Sequence, residues 1–131
     1  MIYMDSNAIM RMVCGDEASR ARFAAEIGSE KLLTSTLALV ECLCKPIATK
    51  DELSLTLLRG FFSSIDVLVA PTTVEIAMKA AEIRAQFKFK TPDAVHIATA
   101  LSHDLSKVLT TDTDFEKARS LTSAAIVVLK P

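Results

Sequence analysis

Five short apolar runs punctuate this chain: Met1 to Met4, Leu32 to Thr34, Asp66 to Ala70, Lys107 to Thr111 and Ala125 to Leu129. Each has the length and the branched or aromatic character of a buried strand. The stretches between them carry helical signals. Ile76, Ala80, Ile83 and Phe87, for example, fall at spacings of four, three and four, which makes one apolar stripe. Short strands alternating with helices indicate βαβ units and a parallel sheet covered on both faces. The expected fold is therefore α/β. It is a single domain over residues 1–131, with three layers (α/β/α) around a central parallel sheet of about four to five short strands.

Local signals bound most of the helices. A brief helix over residues 6–13 ends near Gly15, and a second starts with Asp16 as cap and stops at Gly28. TLALVECLCKPIA reads as a helix interrupted or bent at Pro46. Another spans residues 50–64, with Asp51 and Glu52 in its first turn. Thr91-Pro92-Asp93 opens a further helix, with Thr91 as N-cap, Pro92 at the first position and Asp93 in the first turn. Asp114 to Arg119 is a short helix before the last strand.

Bulk properties narrow the classes of function. A chain of 131 residues buries roughly two-thirds of the surface its unfolded form exposes, so a core is expected and disorder is not. No uncharged run is longer than Ser120 to Leu129, too short to cross a bilayer. Asp5 interrupts any signal-like start. The expectation is a soluble, cytoplasmic protein with no membrane partner. Cys14, Cys42 and Cys44 read as buried, reduced thiols. The net charge of −1 lacks the basic excess of a protein that grips nucleic acid through phosphates alone. A nucleic-acid role therefore needs local basic patches, a metal ion or another subunit.

The acids carry the chemical signal. In open α/β sheets, ligands gather at the carboxyl ends of the strands. Asp5 ends the first strand, in MIYMDSNAIM, and Asp112 follows the fourth, in VLTTDTDF. Glu41 falls inside a stripe read as Leu37, Val40, Cys44 and Ala48, where an unpaired carboxylate is expensive to bury. Asp93 heads the stripe of Ala94, Ile97, Ala98 and Leu101. Singly, each acid has an ordinary explanation. Asp5 can cap a helix, Asp93 suits a helix dipole, Glu41 can lie at a rim, and Asp112 and Asp114 can form a turn and a cap. Together they would repel unless a cation sat between them, and oxygen ligands without His or Cys suit Mg²⁺ or Mn²⁺.

Other chemistries find no support. Gly15, Gly28 and Gly60 are isolated, so no phosphate-binding loop exists. His96 and His103 are about 10 Å apart along one helix, too far to share an ion. His96, three residues after Asp93, lies outside the apolar stripe and reads as a surface histidine.

MIYMDSNAIM, the acid in STLALVECL, the segment KTPDAVHIATAL and the late TTDTDF together resemble PIN-domain ribonucleases, and especially the VapC-type toxins of toxin–antitoxin pairs. The resemblance implies an Mg²⁺- or Mn²⁺-dependent endonuclease acting on single-stranded or looped RNA. Asp5, Glu41 and Asp93 match the family's acidic triad, and Asp112 matches its fourth acid, with Asp114 close enough to compete. Ser6, Asn7 and Thr110 match supporting positions. Lys88, Lys90, Arg11 and Lys45 are candidate phosphate contacts, and equally ordinary surface charges. A cognate antitoxin and a homodimer are also implied; Leu57-Leu58 and Phe61-Phe62 could supply the dimer surface or belong to the core.

Two alternatives stand beside this reading. One is an Mg²⁺-dependent phosphohydrolase acting on a non-RNA substrate. The other is a non-enzymatic acidic-pocket signalling module, which would need paired acids after the first strand, an acid ending the third and a Lys after the late strand. The chain offers none of these.

Overall fold

The computed structural model describes residues 1–130. Five parallel strands, β1 (Ile2–Met4), β2 (Leu32–Ser35), β3 (Val67–Ala70), β4 (Lys107–Thr110) and β5 (Ala125–Val128), form one sheet in the order β3-β2-β1-β4-β5. The expected α/β architecture holds, with the strand count at its upper bound. Six α-helices connect them: α1 (Ser6–Cys14), α2 (Glu17–Ile27), α3 (Thr36–Thr49), α4 (Glu52–Phe62), α5 (Val74–Phe87) and α6 (Thr91–Leu101). A 3-10 helix, Thr113–Leu121, takes the place of the short helix expected near Asp114. No helix among the described residues is long and apolar enough to cross a membrane.

Strand alternation sorts the core into two halves. Ile2, Met4, Leu32 and Leu109 pack with Ala8, Ile9, Phe23, Ala38, Cys42 and Leu58 beneath α1 to α4. Tyr3, Leu33, Val108 and Ile126 face the other way, against Ile76, Ala80, Ile83, Ala94, Ile97 and Phe115 of α5, α6 and the 3-10 helix. All three residues of β1 are completely buried, as a central strand covered on both faces requires.

Side-chain caps start four of the helices. Asp5, Asp16, Asp51 and Thr73 each accept a hydrogen bond from the backbone amide three residues on. The expected Thr91 cap does not form: Thr91 is the first helical residue of α6, and Lys90 precedes it with no side-chain cap bond. Pro92 and Asp93 still lie in the first turn, so the missing cap moves the start by one residue only. Pro46 does not interrupt α3, which runs on to Thr49, and its ring is buried.

Two further expectations are corrected. The buried line of α3 is Ala38, Cys42 and Pro46, whereas Val40, Cys44 and Ala48 face solvent. Val40 is 66% exposed, so the apolar stripe read from the sequence was one helical face away from the true one. Of the three free cysteines, only Cys42 is buried; Cys14 is intermediate and Cys44 exposed. Leu58 is core, while Leu57 is 44% exposed and Phe61 and Phe62 are partly buried.

Leu109 sits in β4 beside the central strand with no exposed surface. Leu109→Ala should therefore lower unfolding free energy by about 2–5 kcal/mol in urea titrations, since a cavity between sheet and helices relaxes only partly.

Candidate metal centre

The strand order reverses at β1, because β2 and β3 extend to one side and β4 and β5 to the other. Beyond the carboxyl ends of β1 and β4 lies the crevice in which open α/β sheets bind their ligands. Met4 pairs with Leu109, so the next residues, Asp5 and Thr110, stand side by side at the carboxyl edge. Thr110 Oγ1 donates to Asp5 Oδ2 at 2.6 Å, and the Ala8 amide donates to Oδ1 at 2.9 Å. Asp5 is thus both the cap of α1 and a buried carboxylate on the binding edge.

Burial raises the Asp5 pKa, the Thr110 and Ala8 hydrogen bonds oppose the rise, and the nearby Asp112 adds to it. Thr110 Oγ1 also accepts from the Asp112 amide at 3.0 Å. One hydroxyl therefore ties the ends of β1 and β4 to the turn that carries the late acids. Asp112 caps the 3-10 helix, taking the Asp114 amide on Oδ1 at 2.9 Å.

Asp93 reaches the site from the first turn of α6. Its pKa is pushed up to about 6 by burial first, then by Asp112, with Asp5 and Asp114 adding to the rise and His96 opposing it. Ligand oxygens of Asp93, Asp112 and Asp114 all lie within 4.8 Å of one another. Lys117 approaches Asp114 at 3.7 Å on the surface; among the described residues no Lys or Arg pairs with Asp93 or Asp112.

Glu41 completes the ring from α3. Its Oε1 accepts from Ser6 Oγ at 2.6 Å and lies 2.7 Å from His96 Nε2. These contacts, His96 foremost, draw its pKa below the ordinary value. Asp5, Glu41 and Asp93 then line one cavity of about 170 Å³ with Ser6, Asn7, Met10 and His96. The structure thus sets Asp5, Glu41 and Asp93 around one cavity and Asp93, Asp112 and Asp114 within ligand reach of one another, with Asp93 common to both groups. It puts Ser6 in contact with Glu41 and Thr110 in contact with Asp5. Asn7 lines the cavity without a hydrogen bond to an acid among the described residues.

His96 is the correction here. It is 2% exposed, not a surface residue, and its Nδ1 lies 2.6 Å from the hydroxyl of Tyr3. A signal was present. TPDAVHIATAL contains one other ionisable residue, Asp93, so α6 has no polar face to take an imidazole, and its residues from His96 to Ala100 are all buried.

The candidate cations are spread around the site. Arg11 lines a cleft of about 500 Å³ that shares Asn7 and Met10 with the acidic cavity. Lys90 immediately precedes α6, Lys88 lies at the end of a groove between α5 and α6, and Lys45 is exposed one turn beyond Glu41.

The donor set is carboxylate oxygen, since the one imidazole present is already engaged at both nitrogens. Such a set fits a hard divalent cation, and Asp93 and Asp5 are both raised by burial first, with neighbouring carboxylates adding to the rise.

A sequence model of the PIN domain matches residues 2–121. No curated protein sequence matches the chain. Among solved structures, the fold is similar to a toxin–antitoxin complex from Klebsiella pneumoniae, at 20% identity and a TM-score of 0.78 over all of both chains. It is also similar to FitAcB from Neisseria gonorrhoeae, at 24% identity and a TM-score of 0.71 over 96% of each. A third is VapC20 from Mycobacterium tuberculosis, described as a sarcin–ricin loop cleaving toxin, at 18% identity and a TM-score of 0.75 over the whole of both. At these identities the likeness is one of fold.

Asp93 also sets a pH dependence for the metal-free protein. Its folded pKa of about 6 exceeds the unfolded value near 4, so folding takes up a proton between them. The resulting stabilisation is complete below about pH 4 and lost as pH rises through about 6. In EDTA at pH 7, Asp93→Asn should be more stable than the parent by roughly 1 kcal/mol, after allowing for the solvent that still reaches this carboxylate and for a few tenths lost from the helix dipole. Urea titrations should show the gain shrinking towards pH 4.

Proposed function

The chain belongs to the PIN-domain family, and from that premise we propose that it is an Mg²⁺- or Mn²⁺-dependent endoribonuclease that hydrolyses single-stranded or looped RNA. The observation that carries this reading is the convergence of Asp93, Asp112 and Asp114 beside Asp5 and Glu41 at the sheet's switch point. Asp5, Glu41, Asp93 and Asp112 are the proposed ligands, and Asp114 competes with Asp112 for the last place.

A divalent ion held by these oxygens would polarise the scissile phosphate and lower the pKa of an attacking water. The protein's own part is positioning. Thr110 and the Ala8 amide fix Asp5, Ser6 fixes Glu41, and the turn at Asp112 is fixed by its own amide on Thr110. No protein nucleophile is required. Arg11, Lys88, Lys90 and Lys45 would hold flanking phosphates, with Arg11 best placed because its cleft adjoins the acids.

The solved toxin–antitoxin complexes of the same fold support a further reading, that this chain is the toxin of such a pair and binds a small antitoxin protein. It would act in the cytoplasm as a homodimer. Light scattering should then give a mass twice that of one chain; a single-chain mass would remove the dimer without touching the chemistry.

Purified protein should cleave RNA in Mg²⁺ or Mn²⁺, stop in EDTA and recover when Mn²⁺ is restored. Asp93→Asn and Asp5→Asn should each slow cleavage by about a hundredfold or more, as the loss of several kcal/mol of charge stabilisation implies. Undiminished cleavage in EDTA would exclude the mechanism. Hydrolysis of simple phosphate esters without RNA cleavage would favour the small-substrate phosphohydrolase instead.

A further inference from the structure

A chain of four side chains runs from the core to the site. Tyr3, the only tyrosine, lies in the central strand with its side chain fully buried. Its hydroxyl is 2.6 Å from His96 Nδ1, and His96 Nε2 is 2.7 Å from Glu41 Oε1. Ser6 Oγ closes the group at 2.6 Å from the same Oε1 and 3.3 Å from Nε2. Tyr3 and His96 also meet edge to face, with ring centroids 5.9 Å apart.

We propose that Tyr3 and His96 are positioning residues for Glu41: the Tyr3 hydroxyl anchors the imidazole at Nδ1, and the ring's Nε2–H ties back Oε1 so that Oε2 would be left for an ion. The assignment rests on the nuclease reading for what Glu41 does, but the proton on Nε2 follows from donor and acceptor capacity. A carboxylate only accepts, so the proton between Nε2 and Oε1 belongs to the imidazole. Burial raises the Tyr3 phenol above its ordinary pKa, so it keeps its proton and its hydroxyl holds Nδ1 from the core side. Each link then has one donor and one acceptor, and the side chain most deeply embedded in the sheet orients one that is partly exposed.

The arrangement explains features that a structural role for His96 alone leaves unaddressed. Glu41 stands on a helix face that is mostly solvent-exposed, next to Val40 and Cys44, and nothing on α3 itself restrains its rotamer. Its two hydrogen bonds come from α1 and α6, both to one oxygen. Among the described residues, Oε2 takes no hydrogen bond. A carboxylate held by one oxygen and open at the other is a preorganised monodentate ligand, and outer partners of this kind typically tune metal affinity by about 10–100-fold.

The test uses the full chain and two readouts. Nitrogen-15 NMR of histidine-labelled protein in EDTA reads the Nε2 proton directly, because only His96 and His103 contribute ring signals. The His96 Nε2 proton should exchange slowly with water in the parent and faster in Tyr3→Phe, which keeps the packed ring but removes the hydroxyl that anchors Nδ1. Calorimetric titration with Mn²⁺ should show about tenfold weaker binding for Tyr3→Phe and a larger loss for His96→Leu. Partial recovery is expected in His96→Gln, whose amide can still donate. Adding Tyr3→Phe to Glu41→Gln should cost no further affinity, because the relay acts through that carboxylate.

A His96 ring without a proton at Nε2 in the parent, or equal Mn²⁺ affinity in parent and Tyr3→Phe, would overturn the proposal. So would a full additive loss in the double variant. If the parent binds Mn²⁺ but leaves RNA intact, the nuclease reading fails and the affinity series still decides the relay. If it binds no Mn²⁺, the ligand role given to Glu41 fails and the proposal with it.

Discussion

Strand β1 is three residues long, and every one of them is completely buried, so the chain has no freedom in how it leaves the sheet. Ile2 and Met4 are committed to one half of the core and Tyr3 to the other. A slip of one residue would drive Tyr3 into the layer built for Ile2 and Met4. That constraint puts Asp5 beside Thr110, because Met4 pairs with Leu109 and each is the residue that follows. It also plants Tyr3 beneath α6, within hydrogen-bonding reach of His96. Both ends of the site thus trace back to the register of the central strand.

The same geometry sets stability against function. Asp5 is buried with two hydrogen bonds that offset part of its desolvation, whereas Asp93 has no such compensation and lies within reach of Asp112 and Asp114. Repulsion and desolvation both disfavour the charged form of Asp93, and the fold tolerates this because its two core halves stabilise the sheet from either side. The strain is confined to the carboxyl edge. Far from that edge, Asp16 and Asp51 cap α2 and α4 as fully exposed carboxylates, each drawn below its ordinary pKa by hydrogen bonds it accepts, Asp16 first from the Ser19 amide and Asp51 first from the Ser54 hydroxyl and then from its amide. The contrast separates acids that support helices from acids that converge.

Much of this was legible in the sequence because strands in a covered parallel sheet are nearly continuous apolar runs, and an acid that ends such a run is conspicuous. Asp5 and Asp112 were found that way, and Asp93 by its place at a helix head. Glu41 was found for a reason the structure does not support: its neighbours Val40 and Cys44 are exposed, and the core line of α3 is Ala38, Cys42 and Pro46. Apolar residues on the outside of a helix are common, so periodicity alone could not choose between the two faces. His96 was misplaced for the converse reason. A stripe argument assumes one wet face, and α6, packed between the sheet, α5 and the 3-10 helix, has almost none beyond its first turn.

Charge connects the site to any polyanionic substrate. The chain carries a net charge of −1, and five acids gather at one edge. On the proposed reading, a single divalent ion would leave that edge negative if all five were ionised, so approach of a phosphate would be opposed at the point of reaction. Two features lessen the opposition. Asp93 holds a proton up to about pH 6, which brings the site closer to neutrality when no cation is present. Arg11, facing a cleft that shares Asn7 and Met10 with the acids, offers positive charge one step outside the ring without pairing with any member of it. On the proposed reading, attraction beside the acids rather than among them would let a strand be held by its flanking phosphates, while the reacting one would meet the carboxylates through the ion. Such a division is the electrostatic condition under which a weakly acidic chain would act on RNA.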